Sequence, residues 1–217
     1  MAASPWDQRY AGAGYVFGEE PNDWLAEQSA RLLVGGRTVL SLGEGEGRNA
    51  AYLAKLGLQV TATDQSEVGL AKARRLAALR GVGFATLQAD LRDLDMGVER
   101  WDGIVSIWCH LPSALRRVVH ARVVRALKPN GWLILEAYGP GQLALGTGGP
   151  KDADMLAEEA GLKAELMGLE WHLAASKRRQ VAEGQGHAGL SEVVQLVGRK
   201  PGVLEEDQHC SSRCDCV

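Results

Sequence analysis

The segment Leu42-Gly43-Glu44-Gly45-Glu46-Gly47-Arg48-Asn49 constrains the fold more than any other part of the chain. Three alternate glycines allow the backbone to turn sharply and let a ligand lie against bare main chain. The apolar run at residues 38–42 predicts a buried strand before this turn, and residues 49–56 predict a helix after it. The segment therefore predicts a strand, a ligand-binding turn and a helix in direct succession.

The same order of short strand, turn and amphipathic helix recurs along the chain. Further strands are predicted at residues 59–63, 84–88, 103–108 and 132–137. Asn22 and Ser66 are predicted helix caps, the latter for a helix that runs to about Arg80, and Pro112 is predicted in the first turn of another helix. Strands that alternate with helices predict a parallel sheet with helices on both faces.

The pattern changes after Tyr138. A short helix is predicted at about residues 152–160, followed by strands around residues 166–173 and 193–199. The polar stretch 176–189 is interpreted as the connection between these two strands, which favours an antiparallel pair that closes the sheet. We expect one domain over residues 1–201, in which residues 1–21 form an aromatic arm, and a disordered tail over residues 202–217.

Composition narrows the class of protein. The formal net charge of −3 favours neither nucleic acid nor an anionic membrane as a partner. The sequence has no secretory signal and no apolar run of about 20 residues that could span a bilayer. His209 and three of the four cysteines (Cys210, Cys214 and Cys216) crowd into the tail with the spacing of no standard zinc module, so no metal site is predicted. We therefore expect a cytoplasmic protein with a small-molecule substrate, and leave its oligomeric state open.

A carboxylate follows the turn at the distance expected for a nucleoside site. Asp64 ends the second predicted strand, where it can accept hydrogen bonds from both ribose hydroxyls of an adenosine. The dinucleotide fingerprint G-x-G-x-x-G would need glycine at position 48, where the chain has Arg48. A nicotinamide-dependent oxidoreductase is therefore the alternative interpretation rather than the preferred one.

The pattern G-x-G-x-G instead resembles the first motif of class I S-adenosylmethionine-dependent methyltransferases. Ala89-Asp90-Leu91 resembles the adenine-binding segment of that family, and residues 108–112 and 127–132 resemble its segments after strand four and before strand five. The resemblance implies an α/β fold with a doubly wound, mostly parallel seven-stranded sheet, Rossmann-like, with an antiparallel closing strand. It also implies S-adenosylmethionine as the cofactor. The implied cofactor-binding residues are Gly43, Glu44, Gly45, Gly47, Asn49, Asp64, Gln65, Ala89, Asp90, Leu91 and Ile107.

One position departs from the family pattern. Ser41 stands where many members carry Asp or Glu in the first motif. Glu44 or a water molecule is the expected replacement for that carboxylate.

The N-terminal residues resemble a subgroup of the family. Trp6-Asp7-Gln8-Arg9-Tyr10, Tyr15-Val16-Phe17-Gly18 and Pro21-Asn22 are similar to small-molecule methyltransferases related to tellurite-resistance and thiol or thiopurine enzymes. The resemblance implies methyl transfer to a small acceptor, with a soft thiol, chalcogen or metalloid nucleophile as the expected class. A non-catalytic protein that binds S-adenosylmethionine is a further alternative.

Three residues are candidates for catalysis: Tyr10, His110 and His187. Tyr10 belongs to the aromatic arm, which is interpreted either as a lid over the cofactor or as a segment packed on the sheet. His110 follows strand four at the ligand-binding edge of the predicted sheet and could orient or deprotonate a substrate, or simply begin a helix. Arg179, Glu183 and His187 lie between the last two strands and could reach the same cleft, although a solvated loop is the default interpretation.

Overall fold

The computed structural model describes residues 4–34 and 38–202 of the chain. Seven strands form one sheet in the order β3-β2-β1-β4-β5-β7-β6. The strands are β1 (Thr38–Leu42), β2 (Gln59–Asp64), β3 (Ala85–Gln88), β4 (Trp101–Ile107), β5 (Leu127–Tyr138), β6 (Glu170–Glu183) and β7 (His187–Arg199). The predicted tail, with its cysteines, lies outside the described residues.

Helices connect the strands. They are α1 (Pro5–Tyr10), α2 (Asp23–Gln28), α3 (Arg48–Lys55), α4 (Glu67–Leu79), α5 (Ser113–Ala126), α6 (Gln142–Leu145) and α7 (Glu159–Glu165). The predicted caps are confirmed for Asn22 and Ser66, whose side chains accept hydrogen bonds from the backbone N–H groups of Leu25 and Gly69. None of the helices in the described ranges is long and apolar enough to cross a membrane.

The order of the strands places a crevice at the centre of the sheet. β1 pairs in parallel with β2 on one side and with β4 on the other, so the chain leaves β1 and β4 in opposite directions along the sheet. Ligands of doubly wound sheets bind at such a switch point, outside the carboxyl ends of the strands. The glycine-rich turn follows β1 at this point.

The predicted closing pair is confirmed, but its extent is larger than expected. β7 is antiparallel to both β5 and β6. The prediction that residues 176–189 form a polar connection is wrong, because β6 continues to Glu183 and β7 already begins at His187. β6 is an edge strand with most of its side chains exposed, so its polar composition resembles that of a loop.

Two other local predictions need correction. The predicted helix at residues 152–160 is replaced by a 3-10 turn (Ala153–Met155) and by α7, because Leu156 and Glu158 are extended and break the helix. Helix α1 was not predicted. It begins with a capping box between Ser4 and Asp7 and with proline in its first turn.

Candidate active site

A cavity of about 670 Å³ opens at the carboxyl ends of β1, β2 and β4. It is lined by three groups of residues that the sequence singles out: the turn after β1, the residues after β2 and β3, and the residues after β4. Of the predicted cofactor residues, those in its wall are Gly43, Glu44, Asn49, Asp64, Gln65, Ala89, Asp90, Leu91 and Ile107. The three catalytic candidates Tyr10, His110 and His187 also line it.

The three glycines of the turn have different roles. All three have positive φ angles, between 59° at Gly43 and 92° at Gly47, which residues other than glycine rarely adopt. Gly43 lines the cavity, whereas Gly45 and Gly47 are not among the lining residues. A Cβ on Gly45 would lie 2.6 Å from the Tyr10 hydroxyl, and one on Gly47 would lie 2.6 Å from Ala73 of α4. The latter two glycines thus allow close packing beneath the site.

Asp64 joins the turn to the end of β2. Its carboxylate accepts hydrogen bonds from the backbone N–H groups of Gly45 and Ser66, both at 2.8 Å. Burial raises the pKa of Asp64, and these two backbone hydrogen bonds oppose that rise. The backbone of Gln65 also hydrogen-bonds this carboxylate, which leaves acceptor capacity for a further donor such as a ribose hydroxyl.

Glu44 places a second carboxylate in the cavity wall. Its oxygens accept hydrogen bonds from the Ser41 hydroxyl and, at 2.9 Å, from the backbone N–H of Ala50 in α3. Burial raises the pKa of Glu44 to about 6 despite these contacts. A carboxylate anchored on Ser41 therefore stands beside the position where many family members carry the acid itself.

The aromatic arm forms one wall of the cavity. The Tyr10 ring stacks on Trp6 at a centroid distance of 5.7 Å and meets Phe17 edge-on at 6.2 Å. Asp7 holds α1 against α4 by accepting a 2.6 Å hydrogen bond from Ser66. Burial and the nearby carboxylate of Asp64 raise the pKa of Tyr10, so its hydroxyl keeps its proton. The arm is both packed against the fold and in contact with the cavity.

Trp108, His110 and His187 form an aromatic wall of the cavity and stack on the buried Tyr138 ring. The Trp108 ring lies 4.3 Å from the Tyr138 ring and 5.2 Å from the His187 ring, and the His110 ring lies 5.3 Å from Tyr138. Trp108 has a φ of 55°, a conformation that costs a bulky residue about 1–2 kcal/mol. A strained residue that is held by packing at a cavity is typical of a functional site.

Both histidines of this wall are neutral. Burial lowers the pKa of His110 to about 4 and that of His187 to about 3. The His110 Nε2 accepts a 3.1 Å hydrogen bond from the backbone N–H of Tyr138, which occupies the atom that would act as a base. The His187 Nδ1 lies 2.5 Å from the Tyr138 hydroxyl.

The geometry of a glycine turn, an Asp at the end of β2 and a cavity at the switch point agrees with the comparisons to known proteins. Residues 39–131 match the methyltransferase domain family. Together with the fold, this match supports a class I S-adenosylmethionine-dependent methyltransferase. The match favours this interpretation over the nicotinamide-dependent one and implies S-adenosylmethionine as the cofactor.

Solved structures show the same fold at low sequence identity. A protein described for the conversion of a disulfide bond into a thioacetal group during echinomycin biosynthesis superposes with a TM-score of 0.73 and 19% identity, over 90% of this chain and 91% of that chain. TehB from Haemophilus influenzae has a TM-score of 0.67 and 18% identity, over 90% of this chain and 65% of that chain. An S-adenosylmethionine-dependent methyltransferase from Methanosarcina mazei has a TM-score of 0.64 and 18% identity, over 80% and 97%. No curated protein sequence matches the chain.

The residues present fit the cofactor of this methyltransferase. Tyr10 lines the cavity, and its hydroxyl has no hydrogen-bond partner within residues 4–34 and 38–202, so a donor remains available. Asp64 keeps acceptor capacity for the ribose, and Gly43 leaves bare main chain where a Cβ would lie 3.1 Å from the Cys109 sulfur. Glu44 supplies negative charge for a cationic ligand.

A buried polar network behind the aromatic wall was not predicted. Glu183 of β6 accepts a 2.6 Å hydrogen bond from the Trp108 indole and pairs with Arg48 of α3. Arg179 joins Glu183 to Glu136 of β5, and their contacts bring four elements of the methyltransferase together at this wall. In the sequence, Arg179 and Glu183 lie in a polar stretch, and only their spacing of four residues indicates a common side of the chain.

Proposed function

We propose that the chain transfers a methyl group from S-adenosylmethionine to a small acceptor whose nucleophilic atom is soft, with a thiol as the leading class and selenium, tellurium or metalloid nucleophiles as related ones. When bound, the cofactor supplies a methyl group that its sulfonium already activates. The work left to the protein is to bind, to orient the acceptor and to exclude water.

The observation that carries the proposal is the absence of a base of ordinary strength on the aromatic wall. Within the described residues, that wall offers two histidines whose pKa values are lowered to about 3 and 4. Burial also raises the pKa of Cys109 to about 12, so its thiol keeps its proton and is not a nucleophile at neutral pH. Burial raises the pKa of the Tyr138 hydroxyl as well.

A thiol acceptor needs no enzymatic base, because it loses its proton to solvent near neutral pH. With an ordinary thiol pKa of about 8.5, about a tenth of the molecules are ionised at pH 7.5. An aliphatic alcohol is not ionised at that pH. An aromatic wall without such a base therefore favours acceptors that bring their own anion.

His187 has a specific role in this proposal. The Tyr138 hydroxyl keeps its proton and can donate it to His187 Nδ1, since Ser191 is the other hydrogen-bonding partner of that hydroxyl. A neutral His187 is then protonated at Nε2 and can donate to an acceptor thiolate. The pair holds the acceptor as an anion rather than deprotonating it.

Similarity in fold to the echinomycin-pathway protein supports the soft acceptor, because the chemistry described for that protein takes place at sulfur. The network around Glu183 supports the same site by fixing the Trp108 ring against His187. Tyr10 and His110 complete the proposed site as a cofactor-side donor and a positioning residue, respectively.

The test is a panel of acceptors with radiolabelled methyl donor at several pH values. We expect methylated products from arylthiols and other chalcogen nucleophiles, and none from alcohols or amines. The pH midpoint of kcat/KM is expected to follow the pKa of each thiol, because the acceptor and not the protein supplies the titrating group. A midpoint that stays constant across thiols of different acidity contradicts the proposal, and no turnover with any acceptor favours a non-catalytic binding protein.

A further inference from the structure

The carboxylates in the wall of the cavity are all engaged by the protein. Glu46 forms a 2.8 Å ion pair with Lys72, and Asp90 pairs with Arg92 at 3.3 Å. The other carboxylates that line the cavity accept hydrogen bonds from backbone or hydroxyl groups; these are Glu44, Asp64 and Asp152. Two of these five carboxylates are therefore ion-paired, and the other three accept hydrogen bonds from the protein.

The cations of the wall are not all matched. Arg48 pairs with Glu183 and Arg92 with Asp90, but Arg9 and Lys151 have no carboxylate partner within the described part of the chain. Both are exposed side chains that line the cavity, so they stand at its opening. Two positive charges are thus free to meet a ligand.

Arg9 is held in place although it is exposed. Its guanidinium carbon lies 5.2 Å from the centroid of the Phe17 ring and 5.6 Å from that of Trp6. These cation–π contacts restrict the side chain without using its hydrogen-bond donors. The fork of donors remains available for a planar anion.

Both cations flank the proposed acceptor corner. Phe17, the ring beneath Arg9, lies 4.7 Å from the His187 ring. Lys151 follows Gly148, which forms an antiparallel bridge with His187, and the neighbouring Gly149 packs on the Tyr138 ring. Arg9 thus adjoins His187 through Phe17, and Lys151 lies three residues along the chain from the glycine that pairs with His187.

We infer that the methyl acceptor carries a carboxylate, which Arg9 and Lys151 bind at the opening of the cavity while the nucleophilic atom reaches His187. The inference rests on the proposed function, because it names the class of acceptor for that site. The fork of Arg9 can bind both carboxylate oxygens, and Lys151 adds a second positive charge.

The test compares two thiols of similar shape, 4-mercaptobenzoate and benzenethiol. Each is titrated calorimetrically into the full-length protein saturated with S-adenosylhomocysteine, which measures binding without turnover. We expect the wild type to bind the carboxylate-bearing thiol at least about tenfold more tightly, and the preference to weaken with added salt. Arg9→Gln and Lys151→Gln should each reduce the preference, and the double variant should abolish it.

Arg125→Gln is the matched control, since it removes an exposed arginine of α5 that does not line the cavity. It should leave the preference unchanged, and melting temperatures verify that all variants fold. Equal binding of both thiols by the wild type, or a preference that survives in the double variant, overturns the inference. Turnover distinguishes the two proposals: methylation of both thiols without any preference refutes only the carboxylate site, whereas a charge-dependent preference without methylation of either thiol refutes only the soft acceptor.

Discussion

Glu44 offers a prediction in which stability and function oppose each other. The side chain is 8% exposed and lines the cavity, and its oxygens are held by the Ser41 hydroxyl and the Ala50 N–H. Burial raises its pKa from 4.5 to about 6. The folded protein therefore favours the protonated form of Glu44 more than the unfolded chain does.

The magnitude follows from linkage. Each pH unit between the folded and unfolded pKa values corresponds to about 1.4 kcal/mol, so Glu44 destabilises the protein by about 2 kcal/mol at pH 7. Because the pKa of Glu44 is higher in the folded protein than in the unfolded chain, protonation of Glu44 favours folding. This contribution to the free energy of unfolding is fully present below about pH 4.5 and is lost as the pH rises through 6. Glu44→Gln removes this titration, and the amide can still accept from Ala50 and donate to the Ser41 oxygen.

We therefore expect Glu44→Gln to raise the free energy of unfolding at pH 7 by about 2 kcal/mol, with the difference shrinking towards pH 4.5. Urea unfolding of the cofactor-free protein at several pH values measures it. The same variant should bind S-adenosylmethionine at least about tenfold more weakly, because a hydrogen bond to a charged group is lost. Calorimetry measures this second effect.

The control is Glu27→Gln, which changes an exposed glutamate of α2 and should alter neither quantity. A Glu44→Gln protein that is less stable at pH 7, or whose stability difference does not vary with pH, refutes the reasoning about burial. A variant that is stabilised but binds the cofactor normally supports the reasoning about burial and contradicts the role of Glu44 in cofactor binding.

Three further predictions concern the site and its support. Asp64→Asn should weaken S-adenosylhomocysteine binding by about 1.5–3 kcal/mol in calorimetry, and unchanged binding contradicts the ribose assignment. Gly47→Ala should lower the melting temperature more than Gly57→Ala, because both positions have positive φ but only the Cβ at 47 meets α4, at 2.6 Å; equal losses in the two variants contradict the packing argument. Asp7→Ala should lower kcat/KM and speed tryptic cleavage after Arg9, because it releases α1 from Ser66; unchanged proteolysis shows that the arm is held by its aromatic contacts alone.

Local chemistry determined much of the fold from the sequence. The alternation of apolar runs with capped helices predicts the parallel half of the sheet, and Asn22 and Ser66 cap their helices as expected. These features are determined by residues that are close together in the chain, so they can be predicted from one sequence. The position of Asp64 at the end of β2 follows from the same periodicity.

The full extent of the hairpin of β6 and β7 could not be predicted from local sequence patterns. The edge strand β6 buries little surface, so its residues resemble a solvated loop, and only pairing with β7 makes them a strand. The ion pairs of Glu183 and Arg179 depend on that pairing. They were therefore beyond prediction from periodicity.

By itself, the sequence determined the glycine turn, the carboxylate after β2 and the resemblance to a methyltransferase family, because each is a pattern of adjacent or regularly spaced residues. The tertiary structure alone decided which glycines face the cavity, that Glu44 is anchored on Ser41, and that His187 meets Tyr138 across 49 positions of the chain. It also decided the protonation of the two histidines, since burial is a property of the packed chain and lowers their pKa values to about 3 and 4. The chemistry of the proposed acceptor site depends on that burial, whereas the cofactor site could be predicted from the sequence without it.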